Sequence, residues 1–230
     1  MKFGIVTFPG SNREVDATLA ITEGVGGEVV HLWHKDHDLQ GADVIVLPGG
    51  FSYGDYLRAG AIARFSPIMQ EVVEHVKRGG PVLGICNGFQ ILCEAHLLPG
   101  ALLRNASLRF ASQWVNLRVE NSDTMFSNAY ETGQLIRVPV AHGDGRYTAD
   151  ADTLKAIEER GQVVFRYVDR NGRPLPDANP NGSANDIAGI INDRGNVLGL
   201  MPHPEDAIDP LLGSTDGIGL FESILARVAA

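Results

Sequence analysis

Short apolar segments that alternate with helical stretches are the feature that most constrains how this chain folds. Segments rich in valine and isoleucine lie at residues 2–7, 28–33, 43–47 and 81–85. Helical patterns lie between or after them, at residues 12–23, 61–78 and 87–97. Strands that alternate with helices indicate a parallel sheet covered on both faces, and strands that are apolar throughout are typical of such burial. We therefore predict an α/β fold with a mostly parallel open sheet and helices on both faces.

The later part of the chain has a different pattern. Five apolar segments follow one another with turns between them, at residues 114–120, 135–140, 163–168, 187–192 and 197–201. They indicate a small antiparallel extension or edge of the sheet. Residues 169–185, rich in proline, glycine and asparagine, predict a surface loop or hairpin. Apolar residues at three- and four-residue spacing predict a last helix at 216–228. The length of 230 residues allows one large core, so we expect a single domain over residues 1–230.

Charge and hydropathy exclude several classes of partner. The net charge is −9 and the nineteen lysines and arginines are scattered, whereas nucleic-acid binding needs a basic surface. No apolar run approaches the ~18 residues of a membrane span, and a strand begins at once, so we expect no signal peptide, no membrane contact and a cytoplasmic location. The two cysteines, Cys86 and Cys93, would lie ~10 Å apart along one helix, beyond disulfide reach.

A cysteine stands between two glycines where an apolar strand meets a helix. The segment 84–90 reads Gly-Ile-Cys-Asn-Gly-Phe-Gln. A sharp strand-to-helix turn strains its central residue, and a Cβ at a neighbouring glycine would collide with the crossing chain. The start of the helix supplies free N–H groups and a positive dipole end, which favour a thiolate. This pattern is that of a nucleophile elbow, and Cys86 is the predicted nucleophile.

Acyl transfer through a thiol also needs a base, a group that orients the base, and donors for the oxyanion. His203 lies between two prolines just past a predicted strand, so its backbone is held extended. Glu205, two residues on, projects to the same side and orients the imidazole while the other ring nitrogen faces Cys86. The backbone N–H groups of Asn87 and Gly50 are the predicted oxyanion donors, since both follow strand ends where open α/β sheets place their ligands.

Other clusters give weaker signals. Cys93 shares a helical face with apolar residues, which predicts a buried, inert thiol. Histidines and aspartates crowd residues 31–38, but their spacing matches no strong zinc motif, so we predict a solvated loop and no metal site. Arg58 and Arg64, near Asp55, are interpreted as surface or partner contacts.

The motifs resemble those of a known family. The segment 84–90 and the His-Pro-Glu element at 203–205 resemble the class I, triad-type glutamine amidotransferases. Further segments are similar to those of the free-standing glutaminase subunits of phosphoribosylformylglycinamidine synthase, in purine biosynthesis, at residues 8–12, 47–58, 98–105, 139–145 and 185–190. The resemblance covers nearly the whole chain and implies the flavodoxin-like fold of class I glutamine amidotransferases.

The resemblance also implies roles for individual residues. Cys86 attacks the side-chain amide of glutamine, and ammonia leaves as a γ-glutamyl thioester forms. His203 first protonates the leaving amine and then activates water, with Glu205 orienting it. The two backbone donors stabilise the oxyanion. Gln90, one helical turn beyond Cys86, matches a family position that helps bind glutamine.

Partners follow from the same resemblance. The synthase joins ammonia to formylglycinamide ribonucleotide with ATP and yields formylglycinamidine ribonucleotide. This chain has no phosphate-binding motif, because none of its lysines precedes serine or threonine and no Gly-x-Gly-x-x-Gly run occurs. We expect no cofactor here, ATP and magnesium on a large synthase subunit, and a small bridging subunit in the same complex. Free glutaminase activity is expected to be weak and docked activity strong.

Several alternatives stay open. A cysteine-elbow deglycase or chaperone-like protein tends to carry histidine directly after the nucleophile, where Asn87 stands here. A glutaminase of another pathway fits the elbow but not the segment 51–58. A scaffold subunit without turnover would be free to lose Cys86, His203 or Glu205. Relatives often carry cysteine where this chain has Arg13, a departure outside the predicted triad. The loop at 170–180 looks longer than in compact relatives and has no assigned role.

Overall fold

The structure is a computed structural model that describes residues 1–228. Its strands and helices follow the alternating pattern that the sequence predicts in the first hundred residues and a strand-rich pattern afterwards. In chain order they are β1 Lys2–Thr7, α1 Glu14–Leu19, β2 Glu28–Trp33, β3 Val44–Leu47, α2 Pro67–Lys77, β4 Val82–Ile85, α3 Asn87–Glu94, β5 Ala101–Leu103, β6 Ala111–Val119, β7 Leu135–His142, β8 Arg146–Thr148, α4 Ala151–Glu159, β9 Val163–Val168, β10 Ile187–Ile191, β11 Val197–Leu200 and α5 Ile218–Val228.

One nine-stranded sheet runs through the molecule in the order β2-β1-β3-β4-β11-β10-β9-β6-β7. The strands from β2 to β11 pair in parallel, and those from β11 to β7 pair antiparallel. The predicted α/β fold with an open sheet is therefore confirmed. The antiparallel extension is continuous with the parallel half and contributes four of the nine strands, one fewer than the five segments that the sequence assigns to it. A separate two-stranded sheet joins β5 to β8.

Strand β11 lies in a different place from the one expected. The sequence groups residues 197–201 with the antiparallel strands, but β11 pairs in parallel with β4, with Val197 opposite Val82 and Leu200 opposite Ile85. A short hairpin from β10 returns the chain beside β4, and both β4 and β11 are buried along their whole length. As a result the carboxyl ends of β4 and β11 are neighbours, which brings the residues after each strand together.

Several helix boundaries differ from the predicted ones. Helix α2 begins at Pro67 rather than at residue 61, because Ser66 is extended and a residue before proline avoids the helical region. Helix α1 ends in a wide π turn at Ala20–Gly24, α3 ends at Glu94, and α5 begins at Ile218. Helix α4 is absent from the sequence prediction, although the side chain of Asp150 caps it by accepting from the N–H of Thr153 at 2.8 Å.

The core is one continuous cluster of buried side chains beneath both halves of the sheet. Aromatic side chains fill the antiparallel half, where Phe165 and Tyr167 are fully buried. Burial of each such side chain contributes about 2–3 kcal/mol. The surface loop predicted at 169–185 begins with an exposed turn, in which Asp169 accepts from the N–H groups of Asn171 and Arg173, but it ends in the interior, where Asn181 and Ser183 are buried. Among the described residues, no helix has both the length and the apolarity to cross a membrane.

Candidate active site

Cys86 occupies the sharp turn between β4 and α3. Its φ of 51° and ψ of −104° are strained for a residue with a Cβ, and its N–H donates to the carbonyl oxygen of Leu200 in β11 at 2.8 Å. The side chain is 5% exposed and lies against the carbonyl oxygen of Ala141, 3.9 Å from Sγ. Positive φ at a buried cysteine that opens a helix is the geometry of a nucleophile elbow.

The glycines on either side of this turn permit a close crossing of two chain segments. A Cβ on Gly88 would lie 1.9 Å from the carbonyl oxygen of Leu47, and a Cβ on Gly84 would lie 2.7 Å from the backbone of Gly88. Neither clash is relieved by rotating a side chain, because the atoms met are backbone. The sequence prediction that these glycines allow the elbow is confirmed.

His203 and Glu205 lie beside Cys86, as the neighbouring ends of β4 and β11 require. Nδ1 of His203 and Oε1 of Glu205 are 2.7 Å apart, and both side chains are about 2% exposed. The backbone N–H of His203 donates to the carbonyl oxygen of Pro139 in β7 at 2.9 Å. Nδ1 lies against the carboxylate. The other ring nitrogen, Nε2, is buried and faces the thiol of Cys86. The structure therefore brings all three predicted triad residues together.

The charge state of His203 follows from these neighbours. Burial by itself lowers the pKa of the imidazole, but the carboxylate of Glu205 and the negative form of Cys86 outweigh burial and raise it above its usual range. A protonated His203 is an imidazolium held by the carboxylate of Glu205 and turned towards the thiol of Cys86. It can supply a proton to a leaving group on the side of Nε2.

The two predicted oxyanion donors, Gly50 and Asn87, stand at the turn after β3 and at the first residue of α3. Gly50 has φ +150°, and a Cβ there would meet Cα of Ser11 at 2.7 Å, so the turn after β3 is pressed against the loop after β1. The N–H of Phe51 donates to the carbonyl oxygen of Gly10 at 2.9 Å and fixes this contact. Within residues 1–228, the N–H groups of Gly50 and Asn87 have no backbone acceptor. Both are available as donors, as an oxyanion hole needs.

A pocket of about 280 Å³, here called the charged pocket, opens beside Cys86. Gln90 lines it, but the amide of Gln90 is already held: Nε2 donates to the carbonyl oxygen of Asp144 at 2.7 Å, and Oε1 accepts from Nδ2 of Asn87 at 2.8 Å. Gln90 thus forms a fixed wall of the pocket. Its prediction as a substrate-binding residue stays a prediction.

The sequence analysis did not identify the four charged residues of this pocket as a group. Asp55, Asp144, Arg104 and Arg109 all line it. Burial, followed by the charge of Asp144, raises the pKa of Asp55 to about 6. Nε of Arg104 lies 4.0 Å from Oδ1 of Asp144. These residues come from three separate loops, so only the folded chain brings them together.

His142, at the end of β7, is a second residue that the sequence analysis did not single out. Oδ1 of Asn181 accepts from the N–H of Ser183, so Nδ2 of Asn181 faces Nε2 of His142 at 3.0 Å. Nε2 must then accept, which places the proton on Nδ1. Burial, followed by the charge of His203, lowers the pKa of His142 to about 3. This histidine is therefore a neutral wall of the charged pocket, distinct from the protonated His203.

The remaining predicted features lie away from Cys86. Cys93 is buried and unbridged, and burial raises the pKa of its thiol. The segment 31–38 is not the solvated loop that was predicted, because its first three residues belong to β2 and His34 is buried, held by the hydroxyl of Tyr53 2.7 Å from Nδ1. Arg58 pairs with Glu94, its Nη2 2.7 Å from Oε2.

The fold and the site together define a class. A cysteine elbow, a histidine–glutamate pair on the next strand and backbone oxyanion donors occupy the carboxyl edge of an open α/β sheet. The family model of the CobB/CobQ-like glutamine amidotransferase domain matches residues 1–216, and the chain belongs to this family. A solved glutamine amidotransferase from Thermotoga maritima, 18% identical over 99% of this chain and 97% of its own, superposes with a TM-score of 0.62 and supports the fold.

More similar proteins carry a particular name. The chain is 58% identical over 226 residues to the phosphoribosylformylglycinamidine synthase subunit PurQ of Chlorobaculum tepidum, across 98% of this chain and 97% of that protein. It is 45% identical to a chain of the PurLQS structure from Thermotoga maritima, with a TM-score of 0.87 and coverage of 99% and 98%. The resemblance identified in the sequence is confirmed.

Proposed function

We propose that this chain is the glutaminase subunit of phosphoribosylformylglycinamidine synthase, which releases ammonia from glutamine for use by a partner in purine biosynthesis. The observation that carries the proposal is the pairing of His203 with Glu205 at 2.7 Å, with the free ring nitrogen on the side of Cys86. The identity to PurQ subunits over nearly the full length supports the choice of pathway.

The first half of the reaction forms a thioester. The thiolate of Cys86 adds to the side-chain amide carbon of glutamine, and the negative oxygen that develops points to the N–H groups of Gly50 and Asn87. The carbon–nitrogen bond then breaks. The nitrogen takes the proton from Nε2 of His203 and leaves as ammonia, which leaves a γ-glutamyl thioester on Cys86 and a neutral imidazole.

The second half restores the enzyme. A water molecule gives a proton to Nε2 of His203 as its oxygen adds to the thioester carbon, and the carbon–sulfur bond breaks to release glutamate. The thiolate of Cys86 and the imidazolium of His203 return together. Glu205 keeps the ring in one orientation through both steps and stabilises its positive form, because its carboxylate is buried against Nδ1.

The charged pocket suits the other end of glutamine. A free amino acid carries a carboxylate and an ammonium on the same carbon, and this pocket offers two arginines and two aspartates within about 280 Å³. Arg104 and Arg109 bind the carboxylate, and Asp55 and Asp144 bind the ammonium. Both charges are lost when glutamine lies within a peptide bond at each end, so this pocket selects the free amino acid.

The partner chemistry lies outside this chain. We assign ATP, magnesium and formylglycinamide ribonucleotide to a large synthase subunit, with a small bridging subunit in the complex. The composition of the PurLQS structure supports this assignment. Both cysteines are free thiols, as is usual in a reducing compartment, and this supports the cytoplasm as the location of the protein. This chain acts as one glutaminase domain with no cofactor of its own.

The test is a change at Cys86 in the assembled complex. Cys86→Ser is expected to abolish synthesis that uses glutamine, because a serine hydroxyl is a far weaker nucleophile than a thiolate beside an imidazolium. Synthesis from added ammonia is expected to stay within about twofold of the wild-type rate. Equal loss of both activities would remove Cys86 from the role proposed here, and retention of both would remove the glutaminase function itself.

Cys93→Ser is the matched control. It removes the other thiol of the same helix at a buried position away from both oxyanion donors. It is expected to leave glutamine-dependent and ammonia-dependent synthesis in their wild-type ratio.

A further inference from the structure

A second pocket meets the charged pocket at Cys86. This side pocket, of about 220 Å³, shares five lining residues with the charged pocket, namely Cys86, Gly50, Ala141 and the two phenylalanines at its rim, Phe51 and Phe110. It has three residues of its own, Asn12, Arg13 and His203. The charged residues proposed to bind the amino acid line only the charged pocket, whereas the base lines only the side pocket. The thiol therefore stands between two spaces of different chemistry.

The steps of the reaction place different molecules in the charged pocket and in the side pocket. With the amino-acid end of glutamine in the charged pocket and the oxyanion on Gly50, the amide nitrogen lies on the side of His203, which must protonate it. The water that later attacks the thioester must reach the same Nε2. Both small molecules therefore travel on the side that the substrate does not fill. That side is the side pocket.

The wall of the side pocket is built from Arg13. A Cβ on Gly49 would meet Cε1 of His203 at 2.9 Å and Cγ of Arg13 at 3.0 Å, so the stem of Arg13 lies next to the imidazole. The guanidinium pairs with Asp206, the residue after Glu205, and with Asp16 at 3.3 Å. Nε of Arg13 is buried without a partner. The two carboxylates offset the charge of the guanidinium, so this wall presents no free positive charge to a small neutral molecule such as ammonia.

The outer end of the side pocket lies at Asn12. This residue is exposed just before α1, and its backbone N–H donates to the carbonyl oxygen of Gly49 at 3.4 Å. We infer that the side pocket is the path by which ammonia leaves Cys86 and hydrolytic water enters, with its opening at Asn12 and Arg13. This inference rests on the proposed function. It adds a route that is separate from the entrance for glutamine.

The test narrows the opening without touching the triad. Asn12→Trp places a large side chain at the outer end of the side pocket, and Asn12→Ala is the matched control that removes the amide without adding bulk. Val15→Trp, on an exposed position of α1 outside both pockets, controls for an added surface tryptophan. Each variant is assayed in the complex with the synthase subunits.

Two readouts separate the two pockets. The rate at which a chloroketone analogue of glutamine alkylates Cys86 reports the charged pocket, and it is expected to stay within about twofold in Asn12→Trp. Steady-state release of ammonia and glutamate is expected to fall at least about tenfold, with γ-glutamyl thioester accumulating on Cys86 by intact mass. Asn12→Ala and Val15→Trp are expected to match wild type in both readouts.

Contrary results are equally specific. Wild-type turnover in Asn12→Trp would overturn the inference and leave the proposed function standing, since the wild-type complex would still hydrolyse glutamine. Equal losses of alkylation and turnover would also overturn it, because Asn12 would then border the entrance for glutamine. A wild-type complex that neither hydrolyses glutamine nor is alkylated at Cys86 would overturn the proposed function, and the inference with it.

Discussion

Asp55 is a carboxylate that weakens the fold and serves the site. Burial and the nearby Asp144 raise its pKa from 3.8 to about 6. At full strength a change of this size is worth about 3 kcal/mol, since each tenfold change in proton affinity is about 1.4 kcal/mol. Asp55 is only partly buried, so screening by solvent reduces the figure to about 1–1.5 kcal/mol. Asp55→Asn keeps the oxygen that faces Asn87 and removes the charge.

The sign of the effect depends on pH. The folded state holds a proton on Asp55 that the unfolded state has already lost between pH 3.8 and about 6. The penalty is therefore absent below pH 3.8, grows as pH rises to about 6 and is constant above. Asp55→Asn has no carboxylate to ionise and therefore lacks this penalty. Its free energy of unfolding is expected to exceed that of wild type by about 1–1.5 kcal/mol at pH 8, or about 2–6 °C in Tm. The advantage is expected to shrink towards pH 4.

Urea unfolding at several pH values between 4.5 and 8 measures this difference in stability. The KM for glutamine in the complex measures the accompanying loss of substrate binding. The proposed salt link to the substrate ammonium predicts a KM raised by about tenfold in Asp55→Asn. Asp177→Asn, at an exposed aspartate in the loop after β9, is the control and is expected to change neither quantity. A variant less stable than wild type at pH 8, or an advantage that grows as pH falls, would refute the reasoning.

Two further predictions concern the elbow itself. An electrophile that mimics glutamine is expected to modify Cys86, which lines the charged pocket, and to spare Cys93, which does not line it and whose thiol pKa is raised by burial. Peptide mapping would show which thiol is modified, and modification of Cys93 first would mean that the wrong thiol is assigned. Gly88→Ala is expected to cost at least about 2 kcal/mol in urea unfolding, because its Cβ would meet the carbonyl oxygen of Leu47 at 1.9 Å. Gly24→Ala, with open space around its Cβ and no positive φ, is the control, and an equal cost in both would exclude the crossing as the cause.

Local patterns in the sequence are enough to predict the elbow and the parallel half of the sheet. The two glycines that permit the elbow lie within two residues of Cys86, and the prolines that fix the backbone of His203 are its direct neighbours. The pairing of β11 with β4 is not local: the same apolar pattern suits a strand in either half, and only the hairpin from β10 selects the place. Prediction therefore found the residues of the triad but misplaced the strand that brings them together.

The charged pocket could not be predicted for a similar reason. Asp55, Arg104 and Asp144 lie in three separate segments that carry the family resemblance, but nothing in the spacing of these segments shows that the three charges meet in one pocket. The raised pKa of Asp55 arises from burial and from Asp144, and both depend on the fold. A signal was available for helix α4, where Asp150 stands three residues before Thr153 at the start of a helical pattern.

The central claim is that the Cys86 site of this chain makes ammonia that its partner consumes. It is tested most directly by giving the assembled complex glutamine that carries a heavy isotope only in its side-chain amide, together with unlabelled ammonia at a concentration at which the Cys86→Ser complex forms little product. We expect formylglycinamidine ribonucleotide to carry the label almost undiluted, with one glutamate formed for each product. Product that carries the isotope ratio of the bulk ammonia, or that forms without glutamate, would contradict the account.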